Sequence, residues 1–338
     1  MLFWTLYFTL ITAIILPVTQ AHGKLTPDYY NDVCPQALPT IRVMVETVVG
    51  IQPRMGASLV RLHFHDCFAK GCDGSVLLDD SPTMVGEKTA APNNNSLRGF
   101  ELVDEIKATL NVACFGNVVS CADILAIAAR DSVVARTFDE HLGRLHLQLG
   151  GSSYEVLLGR QDSTCASKAE ANSNIPSPFS NLTDMLSKFQ AHNLSAEDLV
   201  LLSGAHTLGF AKCKTLRNRI YNETSTIDPD FARSLKAKCH RPAGGSDDEE
   251  LSPLDETPAA FDAGYYQMLT QRKGMLHTDQ ELFKGDGSEI DRLVKRYAED
   301  AGAFKEGFGA AMVRLGSIKP LTGREGEVRE NCRVVNRR

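Results

Sequence analysis

Apolar residues recur with a helical period along most of the chain. Leu182, Met185, Leu186 and Phe189 fall at positions i, i+3, i+4 and i+7, and residues 290–315 continue the same spacing. The alternating pattern of a half-buried strand is scarce. This pattern predicts a mostly α-helical protein of one or two closely packed helical domains.

Three further features refine this prediction. The segment from Ser120 to Ser132 is rich in alanine and other apolar residues, which predicts a buried helix. Ser195 followed by Asp198 is typical of a capping box at the start of a helix that runs to His206. Clusters of glycine, proline and polar residues predict breaks between helices at Gly150–Gly151, Asn174–Pro178 and Arg241–Pro253.

The first residues indicate export. Leu2–Leu16 is an apolar, uncharged run that ends before Pro17, and Thr19 and Ala21 give the small-residue pattern of a cleavage site. A membrane-spanning helix needs about 20 apolar residues, so this shorter run favours a cleaved signal peptide over an anchor. We expect residues 1–23 to be removed and residues 24–338 to form a soluble, secreted protein.

Composition excludes several classes of protein. The chain has 338 residues, of which 43% are hydrophobic, so a disordered chain is excluded. With 36 basic and 42 acidic side chains, it lacks the basic surplus of a nucleic-acid-binding protein. Nine cysteines in an exported chain predict disulfides, and the odd number leaves one unpaired. Four Asn-x-Ser/Thr sequences are candidate glycosylation sites: Asn94, Asn181, Asn193 and Asn222.

The segment Arg61-Leu-His-Phe-His-Asp-Cys67 is the most informative part of the sequence. On a helix, Arg61, Phe64 and His65 share one face, so a permanent cation, an aromatic ring and a titratable base point the same way. A satisfied core histidine is the simplest alternative. Burying an arginine beside such a histidine without a task is costly, which favours a functional site.

A loop bounded by two cysteines follows, within the segment Asp66–Ser75. Oxygen atoms of Asp66, Asp73 and Ser75, together with backbone carbonyls around Gly71, suit calcium, which binds six to eight oxygen ligands. The alternative is a polar turn held by a disulfide. The spacing is not that of an EF-hand, because the twelve-residue frame is missing.

A third stretch, Leu201–Gly209, contains a histidine at helical spacing from apolar residues. His206 follows Leu202 by one turn, which places its ring on the apolar side of a helix. Gly204 and Gly209 beside it would let a flat group approach closely. A core histidine is the default interpretation, and two isolated histidines decide nothing by themselves.

Taken together, these segments resemble the plant secretory, or class III, haem peroxidases. The resemblance rests on Arg-Leu-His-Phe-His-Asp-Cys, the loop between Cys67 and Cys72, and Leu-Ser-Gly-Ala-His-Thr, and it extends from Leu25 to about Asn336. It implies an all-α fold, braced by disulfides, in which haem lies between a distal and a proximal helical half. It also implies one haem b and two calcium ions as cofactors.

The resemblance implies a donor:hydrogen-peroxide oxidoreductase. Such an enzyme reduces hydrogen peroxide to water and oxidises small phenolic donors in one-electron steps. The expected settings are the response to oxidative stress and lignin or suberin metabolism in the cell wall. We expect a secreted monomer in the apoplast or the vacuole, with no nucleic-acid partner and no membrane association once the signal peptide is removed.

On the distal side, the resemblance implies roles for four residues. His65 would be the general base that takes a proton from hydrogen peroxide and returns it to the departing oxygen. Arg61 would stabilise the negative charge that develops as the O–O bond breaks. Asn93 would accept a hydrogen bond from His65 and keep its other nitrogen basic. Phe64 would screen the haem from bulky substrates.

On the proximal side, His206 would be the axial ligand of the haem iron. Asp279 would accept the other N–H of that ring and so strengthen it as an electron donor. Pro176, in the sequence Asn-Ile-Pro-Ser-Pro, would contact phenolic donors through its carbonyl at the haem edge.

The resemblance also implies four disulfides and two calcium sites. The disulfides would join Cys34 with Cys114, Cys67 with Cys72, Cys121 with Cys332, and Cys213 with Cys239. The distal calcium ligands would be Asp66, Ala69, Gly71, Asp73 and Ser75, with Glu87 reaching the ion through water. The proximal calcium ligands would be Thr207, Asp255, Thr257, Ala260 and Asp262.

Three features depart from the family pattern. The segment Asp255–Asp262 is one residue tighter than usual, which weakens the case for Asp255 as a ligand. Residues 136–148 have no family counterpart, and they are either a surface loop at a helix end or a segment retained from a mis-spliced transcript. Cys165 lies outside every implied pair, and we expect a buried free thiol, with an intermolecular link as the alternative.

Two other functions are weaker interpretations. A catalytically silent secreted scaffold would keep the fold and the calcium sites, but the catalytic residues are all present. A zinc hydrolase would draw ligands from His63, His65, Asp66 and Cys67. Residues two apart point to different faces of a helix, and no three-ligand cluster with an open position can be assembled.

Overall fold

The computed structural model describes residues 23–139, 144–147, 149–241 and 244–337. Within these ranges α-helices dominate, which confirms the all-α fold class. The helices are α1 Ala37–Ile51, α2 Arg54–Ala69, α3 Phe100–Ala113, α4 Cys121–Val134, α5 Lys168–Asn174, α6 Leu182–Ala191, α7 Ala196–Ser203, α8 Cys213–Asn222, α9 Pro229–Lys236, α10 Gly264–Thr270, α11 His277–Glu281, α12 Glu289–Glu299 and α13 Ala301–Leu315.

The strands of the described residues are short and pair two at a time. They are β1 Arg136–Asp139, β2 Arg144–Leu147, β3 Arg160–Gln161, β4 Phe210–Lys212, β5 Leu251–Pro253 and β6 Leu321–Thr322. The pairs β1–β2, β3–β6 and β4–β5 are all antiparallel. These pairs connect helices and form no layer of their own.

A large hydrophobic core surrounds α4, on which α1 and α2 pack. Nearly every residue of α4 is buried, as the alanine-rich segment predicts. A smaller core lies between α8 and α9, beside the disulfide Cys213–Cys239. The packing of α2 on α4 fixes the helix that carries Arg61 and His65.

The predicted capping box at the start of α7 is confirmed. The Ser195 hydroxyl accepts a hydrogen bond from the Asp198 amide (3.1 Å), and the Asp198 carboxylate accepts one from the Ser195 amide (2.8 Å). The helix ends at Ser203, however, and a 3₁₀ turn, Gly204–Thr207, carries His206. The expected α-helix to His206 was therefore wrong in its last turn, where helices commonly tighten into 3₁₀ geometry.

The four disulfides join the cysteine pairs that the family resemblance implies: Cys34–Cys114, Cys67–Cys72, Cys121–Cys332 and Cys213–Cys239. Cys165 is unpaired, as predicted, but it is exposed, so the expectation of burial was wrong. Its sulfur lies 2.6 Å from the Lys70 ammonium nitrogen. The thiol thus sits at the surface beside a charged side chain and not in the core.

Two predictions fall partly outside the described ranges. The predicted signal peptide, residues 1–23, lies outside them except for Gly23. Within the insertion at 136–148, residues 140–143 and 148 lie outside, and the remainder forms the β1–β2 pair at the end of α4. No helix of the described residues has both the length and the apolar character to cross a membrane.

Candidate active site

The distal half of the candidate site is built on α2. Leu59 and Leu62 of this helix are buried in the main core. This packing leaves Arg61, Phe64 and His65 together on a different face, as the helical spacing predicts. Phe64 is half-buried and stacks on Phe68, with 4.2 Å between the ring centroids.

His65 is oriented by an asparagine from the loop before α3. The Nδ1 atom of His65 lies 2.5 Å from Oδ1 of Asn93. The amide group of Asn93 donates to the Glu87 carbonyl (2.9 Å), which fixes its oxygen toward His65. We therefore assign the ring proton to Nδ1, which leaves Nε2 as a proton acceptor.

Arg61 completes the distal site. Its Nε atom donates to Nε2 of His65 (3.2 Å), and its other nitrogens donate to the carbonyls of Pro92 (2.8 Å) and Ser96 (3.0 Å). Burial lowers the pKa of Arg61 to about 10, so the side chain is still charged at neutral pH. No carboxylate of the described residues pairs with it, so its positive charge is free to act on a substrate.

The electrostatics keep His65 neutral. Burial is the main cause that lowers the pKa of His65 well below its usual value, and the charge of Arg61 lowers it further. The hydrogen bond to Asn93 acts in the opposite direction. At neutral pH the ring is therefore a base whose Nε2 atom carries no proton and accepts a hydrogen bond from Arg61.

The proximal half of the candidate site centres on His206. The Nδ1 atom of His206 lies 2.8 Å from Oδ1 of Asp279, at the start of α11. Asp279 is buried, and it also accepts hydrogen bonds from the Leu276 amide (2.8 Å) and the Tyr265 hydroxyl (3.2 Å). Sequence reasoning missed Tyr265, because no motif links α10 to this carboxylate.

The free nitrogen of His206 fits an iron ligand. The carboxylate of Asp279 accepts a hydrogen bond from Nδ1 of His206, and Nε2 has no hydrogen-bond partner among the described residues. The side chain is 38% exposed, so this nitrogen is not enclosed by the core. A neutral imidazole held in this way has the donor chemistry that haem iron requires.

The two glycines near His206 serve protein packing. A Cβ atom at Gly204 would collide with Tyr266 and Phe304, so the core packing requires a glycine at this position. Gly209 has a φ of +97°, and a Cβ atom there would lie 2.9 Å from the Cβ of Ala57 in α2. Gly209 thus lets the proximal turn approach the distal helix.

Comparison with known proteins decides the family. The family model described as Peroxidase matches residues 41–300. The chain belongs to the peroxidase family. Peroxidase RIP1 of Medicago truncatula is 54% identical over 329 residues, which cover 97% of this chain and 95% of that protein. Peroxidase 70 of Zea mays is 49% identical over 334 residues, covering 97% and 98%.

This peroxidase is a haem enzyme of the plant class III type that uses hydrogen peroxide to oxidise a second substrate. Peroxidase 67 of Arabidopsis thaliana, a third similar protein, is 46% identical over 328 residues and covers 97% of this chain. The four disulfides of the present chain agree with secretion, because disulfides form and persist in oxidising compartments.

The peroxidase has a buried acidic cluster, formed by the last turn of α2 and the residues that follow it, that fits a cation. Asp66, Asp73 and Glu87 are each 2% exposed or less. One Glu87 carboxylate oxygen and the Ser75 hydroxyl are buried without a hydrogen-bond partner. Burial raises the pKa of Glu87 to about 8. Oxygen donors that repel one another and lack partners are the chemistry of a calcium site.

A second group of oxygen atoms lies around Thr207, the residue that follows His206. The Thr207 hydroxyl lies 2.7 Å from Asp255 and 3.2 Å from the Ala260 carbonyl, and the Thr257 hydroxyl lies 3.0 Å from Asp262. Asp255 is buried, and burial raises its pKa to about 6. The tighter segment Asp255–Asp262 therefore brings Asp255 into the same group as the other four residues.

Two other residues that the sequence singles out, Pro176 and His63, lie outside these groups of oxygen atoms. Pro176 is half-buried in the connection between α5 and α6, near the exposed ring of Phe179. His63 lies within 4 Å of the Cys67 sulfur. That sulfur is bonded to Cys72, so it offers no thiolate to zinc.

Proposed function

We propose that His65, Arg61 and Asn93 carry out proton transfer in the reduction of hydrogen peroxide, with His206 as the haem ligand. The observation that carries this proposal is the pair of oriented histidines. Each has its Nδ1 atom fixed by a buried oxygen, Asn93 for His65 and Asp279 for His206, and in each ring Nε2 is left without a proton.

His65 moves the proton. Its neutral Nε2 accepts a proton from one oxygen of hydrogen peroxide and returns it to the other oxygen, which leaves as water. Arg61, hydrogen-bonded beside Nε2, stabilises the negative charge on the departing oxygen. Haem bound at His206 supplies the redox chemistry that cleaves the O–O bond.

Phenolic compounds are the proposed donors. The ring of Phe64 lies beside His65 and would narrow the distal side, which favours peroxide there and leaves larger donors at the edge near Pro176. The hydroxyl group of a phenol would donate a hydrogen bond to the Pro176 carbonyl, which would hold the phenol at this edge as it is oxidised by one electron. Oxidative stress and the lignin and suberin of the cell wall are the proposed settings.

Two calcium ions complete the proposed cofactors. The distal ion would bind Asp66, Ala69, Gly71, Asp73 and Ser75, with Glu87 acting through water. The proximal ion would bind Thr207, Asp255, Thr257, Ala260 and Asp262. Both sites adjoin a catalytic element, since Asp66 follows His65 and Thr207 follows His206. We also propose that the protein is a monomer and that it is exported to the apoplast, with the vacuole as the alternative destination.

Stopped-flow kinetics of the holoenzyme with hydrogen peroxide test the proton transfer. His65→Ala should slow the reaction by about 10²–10⁴-fold while haem remains bound, because the general base is lost. His240→Ala is the matched control, since His240 is 68% exposed. An unchanged rate in His65→Ala would remove His65 as the base.

Steady-state kinetics test the donor class. A panel of phenols, aromatic amines and inorganic reductants should show the highest kcat/KM with phenols. Equal rates with all three groups would contradict the phenolic assignment.

A further inference from the structure

A cavity of about 290 Å³ lies between the end of α6 and the end of α13, on residues to which the peroxide reaction assigns no role. Ala191, Val313 and Ile318 form its apolar part. Ligand pockets begin at about 300 Å³, so a cavity of this size suits a molecule with a single ring.

Among the described residues, two cations and no carboxylate line this cavity. Arg314 binds Asp198 through Nε and Nη2, which leaves its Nη1 atom without a partner among the described residues. Lys319 forms no ion pair with any described residue. Because Asp198 balances the charge of Arg314, Lys319 carries the uncompensated positive charge of the cavity, which favours an anion and above all a carboxylate.

His192 gives the cavity an aromatic wall. The residue is 8% exposed, and its Nδ1 atom is buried without a hydrogen-bond partner in the described part of the chain. Its ring packs on Phe68, with 4.7 Å between the centroids. Burial and the charge of Lys319 lower the pKa of His192, so the ring is neutral at neutral pH and adds no charge.

The backbone at Lys319 is held in a strained conformation. Its φ is +40°, which side chains rarely adopt, and it precedes Pro320, which favours extended backbone instead. The neighbouring Ile318 carbonyl accepts a hydrogen bond from the Cys72 amide (2.9 Å). A Cβ atom at Gly71 would lie 2.6 Å from the Lys319 carbonyl oxygen, so the glycine permits this contact. Strain of this kind is concentrated at ligand sites.

We propose that this cavity binds a small aromatic carboxylate, such as a phenolic acid. The carboxylate would pair with Lys319 and Arg314, and the ring would lie beside His192. This binding does not depend on the peroxide reaction, and the site is separate from the donor edge proposed at Pro176. The rings of His192, Phe68, Phe64 and His65 lie in contact one after the other.

Calorimetric titration of the holoenzyme with benzoate tests the proposal. Benzoate has the ring and the charge but no phenolic hydroxyl to oxidise. The protein should come from a host that does not attach N-glycans, because Asn193 lines the cavity and opens an Asn-x-Ser sequence. Benzyl alcohol, which lacks the charge, should bind at least about tenfold more weakly, because it loses the charge-assisted hydrogen bonds.

Two variants locate the binding. Lys319→Asn removes the charge and keeps the backbone, because asparagine tolerates positive φ, and it should raise the Kd of benzoate about tenfold. Ala191→Phe fills the cavity from an exposed position and should abolish binding. The matched control is Lys238→Asn, at an exposed lysine just after the end of α9, which should leave the Kd unchanged.

The outcomes are distinct. Benzoate binding that persists unchanged in Lys319→Asn and Ala191→Phe would overturn the proposal, whether or not it perturbs the haem spectrum. Inorganic phosphate that binds as tightly as benzoate would also overturn it, because the site would then recognise charge alone. If Ala191→Phe does not fold, the comparison of Lys319→Asn with Lys238→Asn decides.

Discussion

The Nδ1 atom of His206 lies 2.8 Å from Oδ1 of Asp279, although 73 residues separate the two in sequence. Asp279 is held in turn by the Leu276 amide and the Tyr265 hydroxyl. Because the buried carboxylate accepts a hydrogen bond from the ring N–H, it gives His206 partial negative charge and would strengthen it as the proposed haem ligand.

Asp279→Asn tests this relationship. Asparagine keeps the shape but removes the negative charge, so we expect the Fe(III)/Fe(II) reduction potential to rise and the rate with hydrogen peroxide to fall about 10–100-fold. A redox titration and stopped-flow kinetics measure these two effects. Asp286→Asn, in an exposed turn, is the control. A potential that does not move would show that Asp279 has no electronic role.

The pH dependence of the peroxide reaction tests the environment of His65. Burial and Arg61 lower the pKa of His65, so the neutral, active form persists as pH falls below the value of about 6.5 for free histidine. The rate constant should therefore stay level through that pH and decline only in more acid solution.

Arg61→Leu should change this profile in two ways. Loss of the nearby cation raises the pKa of His65, so the acid decline moves to higher pH. Loss of the charge stabilisation lowers the rate by about 10²–10³-fold. A decline that stays at the same pH in the variant would contradict the coupling between Arg61 and His65.

Calcium removal should make stability depend on pH. Without the ion, burial raises the pKa of Asp66, Asp73 and Glu87 above their ordinary values, that of Glu87 to about 8. The folded state then binds more protons than the unfolded state, so stability falls as pH rises from about 4 to about 8. Thermal melts in a chelator should show a Tm that falls over this window, whereas the calcium-loaded protein keeps its Tm.

Calcium content checks that two separate ions are involved. Asp255→Ala should reduce the content from two ions per chain to one. Glu256→Ala, at the exposed neighbouring position, should leave it unchanged. A chelated protein whose Tm does not fall between about pH 4 and pH 8 would contradict the distal site.

Cys165 should be reactive in the folded protein. Because its side chain is exposed and the other eight cysteines are paired, a thiol reagent should modify one cysteine per chain without denaturant. Intact-mass measurement counts the modifications, and Cys165→Ser should show none. Modification that requires unfolding would contradict the exposed position.

The sequence was sufficient wherever a local pattern determines structure. Helical spacing located α6, α12 and α13, and the pair Ser195 and Asp198 located the start of α7. The sequence was insufficient where residues far apart in the chain determine the structure. The packing of Tyr266 and Phe304 on Gly204, the contact of Tyr265 with Asp279 and the exposure of Cys165 all depend on neighbours far away in the chain.

The candidate site shows the same division. The spacing within α2 was enough to place Arg61, Phe64 and His65 on one face, but their partners Pro92 and Ser96 act through backbone carbonyls, which leave no sequence signature. The contact of Asp255 with Thr207, which forms although the segment Asp255–Asp262 is one residue tighter, was likewise visible only in three dimensions. The same is true of the strand pairing within residues 136–148.

The absorption spectra of the purified protein and of its His206→Ala variant test the central claim most directly. The account predicts one haem per chain with an intense Soret band, loss of that band or of bound haem in His206→Ala, and its recovery when imidazole is added. His240→Ala should match the unaltered protein. A protein that takes up no haem, or a His206→Ala variant with an unchanged spectrum, would contradict the account.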